Sequence, residues 1–294
     1  MSELFFERVA FIGIGHIGSS LARVLRRDNL AGTIVACARR QETRDTALRL
    51  RIADEATADA AVSVKGADLV VIATPLSMYL DIGKAIGPAL KPGAIVTDVG
   101  SVKGMVVREF APLLPKGVHL VPGHPVAGQE FSGPESGFAE LFKDRWCILT
   151  PVPGGDPDAL DRVARLWQSA GMKMATMDAA HHDMVLAMTS HLPHAIAYTI
   201  VGTATDLEDS LKGEVIKYSA GGFRDFTRIA ASDPVMWRDI FLNNREAVLA
   251  ILQRFNEDLT ALQRDIRHGE AAKLEERFRR TRDIRRSVIE AKQA

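Results

Sequence analysis

Cysteine is scarce: Cys37 and Cys147 are the two thiols in 294 residues, too few to staple a chain of this size. Both lie inside apolar runs, so reduced thiols in a cytoplasmic protein are expected. Net charge is missing as well. The 37 Lys and Arg offset 37 Asp and Glu, which leaves no field to favour nucleic acid or an anionic membrane over a neutral partner. A small molecule is the expected partner. No uninterrupted apolar run is long enough to cross a bilayer, and Met1 to Glu7 holds no basic segment followed by an apolar stretch, which argues against export and membrane insertion. Internal repeats and low-complexity segments are absent, excluding a solenoid or a disordered arm. Metal-ligand spacing is lacking too: His191 and His194 lie three apart, but no Cys or carboxylate joins them at a familiar spacing, so no metal is expected.

What is present is an alternation. Short apolar runs, Arg8–Ile14, Thr33–Ala38, Leu69–Thr74, Ala94–Asp98, His119–Gly123 and Cys147–Thr150, recur between longer helix-like segments, the pattern of parallel βαβ units. The runs are nearly continuous rather than alternating, as expected where helices cover both faces of a sheet. After the helix pattern Asp158–Ala170 and the run Lys173–Met177, strand signals stop. From there apolar residues follow helical spacing, as in Ile240, Val248, Ile251, Leu252, Phe255, Leu259 and Leu262. The expected fold class is therefore α/β: a mostly parallel sheet domain over residues 1–178, then an all-α domain over residues 179–294. The stripe from Ile240 to Leu262, with the striped tail after Arg264, exceeds what one small helical domain covers. A homodimer through this half is expected.

The first strand runs into Gly13-Ile14-Gly15-His16-Ile17-Gly18 and then a helix, which is where a glycine motif has physical meaning. Gly13 permits the turn, Gly15 lets backbone approach a pyrophosphate, Gly18 allows close packing, and the helix start offers unpaired N–H groups to the anion. This predicts a Rossmann-like dinucleotide site. The second strand ends at Ala38-Arg39-Arg40, where an NAD site usually offers a carboxylate to the ribose. Arg39 and Arg40, with Thr43 nearby, suit a 2′-phosphate instead, which makes NADP the expected preferred cofactor with NAD also accommodated, or they are two solvated arginines capping the loop. Thr74-Pro75-Leu76 and Asp98-Val99-Gly100-Ser101-Val102-Lys103 stand at carboxyl ends of strands, where open α/β sheets place ligands. Ser101 and Lys103 read equally well as a helix cap and a first-turn lysine.

His124 follows another strand in Pro122-Gly123-His124-Pro125-Val126-Ala127-Gly128, a loop stiffened by proline and glycine. A neutral imidazole there could take a hydroxyl proton as hydride leaves the same carbon. The structural reading is accepted for His16, His119, His181, His182 and His268 as far as acid–base chemistry goes. Arg224, beside Asp225 and after two glycines, reads as a guanidinium for a carboxylate substrate, or as half of an internal salt bridge.

Taken in order, the glycine turn, Asp98–Lys103, Gly123–Gly128, Ser190-His191-Leu192-Pro193 and Gly222-Phe223-Arg224-Asp225 resemble the prephenate/arogenate (cyclohexadienyl) dehydrogenases of tyrosine biosynthesis over nearly the whole chain. The resemblance implies a Rossmann-like domain with a helical dimerisation domain, and oxidative decarboxylation of prephenate or arogenate. It implies His124 as the proton acceptor, Ser101 near the reacting hydroxyl and the nicotinamide, and His191 and Arg224 as substrate-binding residues. Glu130 falls in a segment resembling the one that governs choice between the keto acid and the amino acid. Tyrosine is carried along as a candidate product inhibitor. Two rivals share parts of the pattern. A β-hydroxyacid dehydrogenase would carry a lysine on the joining helix, and Met188–Tyr198 has none. A non-catalytic NADPH sensor would have no need for His124, Ser101 and Arg224 together.

Overall fold

Successive residues of the first strand point into two different cores. In β1 (Phe6–Ile12) Val9 and Phe11 join one apolar cluster, with Leu21, Val24 and Leu25 of helix α1 (His16–Arg27) and Leu166 and Trp167 of a later helix. Ala10 and Ile12 join the opposite cluster, with Tyr79, Ile82 and Ile86. This period of two, buried on both faces, produces three layers. The computed structural model describes residues 5–128, 132–205, 217–218 and 221–290.

Strands β2 (Ala31–Cys37), β3 (Glu55–Thr57), β4 (Leu69–Ile72), β5 (Ile95–Asp98) and β6 (His119–Val121) complete a parallel sheet in the order β3-β2-β1-β4-β5-β6, in register through pairs such as Val9 with Ile34 and Val71 with Thr97. The order reverses between β1 and β4, and there an open α/β sheet leaves a crevice at its carboxyl edge. Helices α2 (Gln41–Arg49), α3 (Ala60–Ser63), α4 (Tyr79–Ile86) and α5 (Pro157–Ser169) supply the covering layers. The α5 start is set by the Asp156 side chain, which accepts from the Ala159 N–H at 2.8 Å, with Pro157 at the first helical position.

A second sheet departs from the sequence reading. β7 (Gly123–Pro125) pairs antiparallel with β8 (Trp146–Leu149), which pairs parallel with β9 (Lys173–Thr176). His124 thus lies on a short strand opposite Ile148 rather than on an irregular loop. Proline and glycine mask β7 because its ladder is only three residues long, and β3 was missed because it is a short edge strand of polar character.

From α6 (Ala179–Leu186) onward every described element is helical. A single wide π turn, Ala187–His191, joins α6 to α7 (Leu192–Thr205). By length and mean hydropathy alone, Ala179–Ala204 could cross a membrane, although polar residues interrupt its apolar runs. Here its His182, Asp183 and His191 are buried and hydrogen-bonded.

The chain divides into compact units at Met1–Arg245 and Glu246–Ala294, whereas composition changes near Asp178. Trp237 and Ile240, from the helix Pro234–Asn243, belong to the same apolar cluster as Val70 and Val96 of the sheet, so the first unit runs past the last strand. In the second unit the helices ending at Arg267 and starting at Ala271 turn at Gly269, whose φ is +63°. Leu249, Leu259, Ile266, Phe278 and Ile284 are exposed.

Candidate active site

The turns after β1, β2, β4, β5 and β6 bring Gly13, Arg39, Thr74, Ser101 and His124 to the carboxyl edge of the parallel sheet. Helical elements beyond the strands carry His182, Asp183, His191 and Arg224. Gly13 follows β1 with φ +90°, and a Cβ there would stand 2.4 Å from the Ala73 carbonyl oxygen, so only glycine fits this turn beside the end of β4. A Cβ on Gly18 would meet the Gly13 oxygen at 2.7 Å. Gly15 differs, since a Cβ there would find nothing within 4 Å. It faces open space at the start of α1, which has no side-chain cap, and leaves helix N–H groups for an anion.

His16 is pinned at this turn. The Ser136 hydroxyl donates to the Gly133 carbonyl at 2.8 Å and stands 3.0 Å from His16 Nδ1. Its one proton committed, Ser136 accepts from Nδ1–H, which leaves Nε2 of neutral His16 as a buried acceptor without a partner. Thr74 Oγ1, after β4, is likewise buried and unpartnered, and Pro75 beside it is exposed. Open space at Gly15 and unused polar atoms at His16 and Thr74 are what a pyrophosphate and its ribose would occupy, so these residues fit a bound dinucleotide.

At the end of β2, Arg39 and Arg40 are exposed and Thr43 is half-buried. Among the described residues neither arginine has an ion-pair partner. A neighbour missed from the sequence organises the turn: Arg44 donates from Nη1 to the carbonyls of Ala38 at 2.7 Å and Arg39 at 2.8 Å. Arg44 closes the turn and Arg39 and Arg40 face solvent.

After β5, the Asp98 carboxylate accepts from the Gly100 and Gly123 amides and from the Tyr79 hydroxyl. Lys103 is no first-turn surface lysine. It is wholly buried, paired with Asp98, and donates to the Gly123 carbonyl at 2.7 Å. The turn bearing half-buried Ser101 is thereby tied to the residue preceding His124.

His124 is buried, and its Nδ1 lies 2.9 Å from Nε2 of His182. Burial, then the neighbouring His182, Lys103 and His191, push it well below the usual histidine range. His182, set aside in the sequence reading, places its own Nδ1 2.8 Å from Oδ1 of Asp183. Asp183 also accepts the backbone amides of Lys103 and Gly104, each at 2.8 Å. A His-His-Asp run just after a helix cap was the available signal, but sequence spacing gives no distance to His124. His191 is fully buried, with its pKa pushed down to about 4 by burial. Asn244 Nδ2 donates to the Asp183 carbonyl at 2.8 Å and meets His191 Nδ1 at 3.1 Å, so Nδ1 is the acceptor and the proton sits on Nε2. That Nε2–H is buried and unpartnered, a donor in want of an acceptor. His194 stacks on Trp237 with ring centroids 3.6 Å apart.

Arg224 lies exposed on the helix Gly221–Thr227. Among the described residues it makes no ion pair with Asp225. Glu130 lies outside the described residues. No cluster of three or more His, Cys, Asp or Glu able to hold a metal occurs among the described residues.

A parallel sheet with a glycine turn at its switch point and a buried neutral imidazole on the same edge defines a nicotinamide-dinucleotide-dependent oxidoreductase. The chain belongs to the prephenate dehydrogenase family. Residues 21–176 match the prephenate dehydrogenase nucleotide-binding domain and residues 178–280 the prephenate dehydrogenase dimerization domain. It is 40% identical over 280 residues, 95% of each chain, to cyclohexadienyl dehydrogenase of Zymomonas mobilis. Its fold is similar to that of prephenate dehydrogenase from A. aeolicus, solved with hydroxyphenyl propionate and NAD+, at TM-score 0.89 and 35% identity, covering 96% of this chain and 98% of that one. Synechocystis arogenate dehydrogenase is similar at TM-score 0.81 and 28% identity, covering 95% and 98%.

Proposed function

We propose that this chain oxidatively decarboxylates a cyclohexadienyl substrate, prephenate or arogenate, in tyrosine biosynthesis. The observation that carries the reading is the buried, neutral His124 at the carboxyl edge of a dinucleotide-type sheet. Nε2 of His124 accepts the hydroxyl proton as hydride leaves the same ring carbon. As CO₂ departs from the opposite carbon, its bonding electrons enter the ring, which becomes aromatic, and the proton returns to the oxygen to give a phenol. The site mainly has to orient the ring and hold that one proton. When bound, the dinucleotide supplies the hydride acceptor.

Gly13, Gly15, His16, Ile17, Gly18, Thr74, Pro75 and Ser101 form the cradle for that dinucleotide in this reading, and Ser101 also serves the reacting hydroxyl. His191 offers its Nε2–H, and Arg224 its guanidinium, to the substrate carboxylates. Glu130 governs the choice between prephenate and arogenate. Arg39, Arg40 and Thr43 favour NADP over NAD. A homodimer forms through the helical half, whose exposed Leu259 and Phe278 suit an apolar interface, and the nucleotide-binding portion ends near Asp178. The setting is cytoplasmic, in keeping with two free, buried cysteines. Product inhibition by tyrosine belongs to the same reading, because a phenol with a carboxylate tail fits the same groups.

Absorbance of the reduced cofactor, followed with prephenate and with arogenate, tests the function directly. Steady growth with either substrate is expected. A folded preparation that reduces neither NAD nor NADP with either compound would overturn it.

A further inference from the structure

We propose that His182 and Asp183 are positioning residues that fix the tautomer of His124, leaving its Nε2 lone pair as the only base the substrate can meet. This positioning role rests on the proposed role of His124 as proton acceptor and goes beyond it, because an imidazole with the opposite tautomer could not take a proton at Nε2.

The chain of donors can be read in one direction only. Backbone amides can only donate, and those of Lys103 and Gly104 place one donor on each oxygen of Asp183. Oδ1, an acceptor from Lys103, also lies 2.8 Å from His182 Nδ1. A lone pair on that nitrogen would face the oxygen's own lone pairs, so Nδ1 of His182 carries the proton. Burial keeps His182 below the usual histidine range, and a neutral ring has one N–H. Its Nε2 is therefore an acceptor, 2.9 Å from Nδ1 of His124. His124 must donate from Nδ1 to make that bond, and its Nε2 is left with the lone pair. In water the Nε2–H form of histidine is the commoner tautomer, so the protein is imposing the rarer one.

The relay is held from three sides. Asp183 is fixed by the two amides at the start of the segment that follows Ser101. His124 is fixed in the β7 ladder. The backbone carbonyl of Asp183 accepts from Asn244, the same residue that orients His191. A carboxylate–imidazole pair orienting a catalytic histidine is a known device in serine proteases, where disturbing the tautomer lowers kcat by about 10⁴. Here a second imidazole stands between the carboxylate and the base.

Nitrogen-15 NMR of histidine-labelled protein, with His124 assigned by its loss in His124→Asn, reads the tautomer without any turnover. The expected spectrum has His124 protonated at Nδ1 and bare at Nε2. In His182→Phe, which keeps the ring shape and removes the acceptor, His124 shifts towards Nε2–H, and kcat falls by about 10²- to 10⁴-fold while KM for the cofactor stays within about two-fold of the parent. His182→Gln, whose amide oxygen can still accept from Nδ1, should restore much of the Nδ1–H tautomer and of kcat. A parent spectrum showing Nε2–H on His124, or an unchanged tautomer in His182→Phe, overturns the proposal. Should His182→Phe fail to fold, the parent spectrum and His182→Gln still decide it. A parent with the Nδ1–H tautomer but no turnover on prephenate or arogenate would sink the proposed function and leave the relay standing.

Discussion

The ammonium of Lys103 and the carboxylate of Asp98 form an ion pair in which neither side chain touches solvent. Both charges are satisfied elsewhere too, Lys103 by the Gly123 carbonyl and Asp98 by two amides and the Tyr79 hydroxyl. Removing one partner leaves the other uncompensated. Lys103→Met should therefore destabilise the protein by about 3–5 kcal/mol, measured by urea unfolding. A loss under about 1 kcal/mol would mean that Asp98 simply takes up a proton and the pair adds little.

This pair also marks where the sequence stopped being legible. The parallel sheet, the glycine turn and the helical second half follow from periodicity, because continuous apolar runs and three- or four-residue spacing are local properties. Lys103, Arg44 and His182 were not legible as site builders. Each acts through a partner brought near by the fold: Lys103 through Gly123, twenty positions on, and His182 through His124, fifty-eight positions back. Arg44 was overlooked for a simpler reason, since three arginines in a row of six residues look alike until hydrogen bonds separate the one that closes the turn from the two that do not.

His124→Asn should lower kcat by about 10²–10⁴-fold, with cofactor affinity near normal. Asparagine keeps a polar group in the β7 position but cannot accept a proton at neutral pH. Stopped-flow and steady-state rates with the preferred substrate check this, and turnover within a few-fold of the parent would remove His124 from the chemistry.

Buried neutral histidines give folding stability a definite pH dependence. His191 titrates at about 4 in the folded chain, and His124 well below the usual range, against about 6.5 when unfolded. Between those values the unfolded chain binds more protons, so stability is complete above pH 6.5 and falls as pH drops towards 4. His191 alone contributes a loss of roughly 3 kcal/mol across that window, at 1.36 kcal/mol per pH unit. Thermal unfolding at half-unit steps from pH 7.5 to 4.5 should show a steadily falling Tm. His191→Asn, whose side chain does not titrate, should flatten the curve. A Tm independent of pH over this range would show that these imidazoles are not held neutral.

Arg224→Ala should raise KM for substrate far more than KM for the dinucleotide. The guanidinium is exposed, and among the described residues it has no ion-pair partner, so its loss leaves no buried charge behind and should hardly change Tm. Equal effects on both Michaelis constants would place Arg224 outside substrate recognition.

The proposed preference for NADP rests on Ala38, Arg39 and Arg40. A carboxylate at the end of β2 would accept hydrogen bonds from a ribose diol and repel a 2′-phosphate. Ala38 removes that repulsion, and Arg39 and Arg40 supply exposed positive charge, while Arg44 is occupied in closing the turn. A charge-assisted bond to a phosphate contributes about 1.5–3 kcal/mol, roughly ten- to a hundred-fold in affinity, so kcat/KM should favour NADP by that order without excluding NAD. The A. aeolicus relative was solved with NAD+, which makes the measurement on this chain informative. Ala38→Asp combined with Arg39→Ala should reverse the ratio, and Arg44 should be left in place because its loss would open the turn for either cofactor. High salt should narrow the preference, since an exposed guanidinium is screened within about 10 Å at 0.1 M ionic strength. A parent enzyme that prefers NAD, or a preference for NADP that survives the double change, would show that these arginines are only solvated.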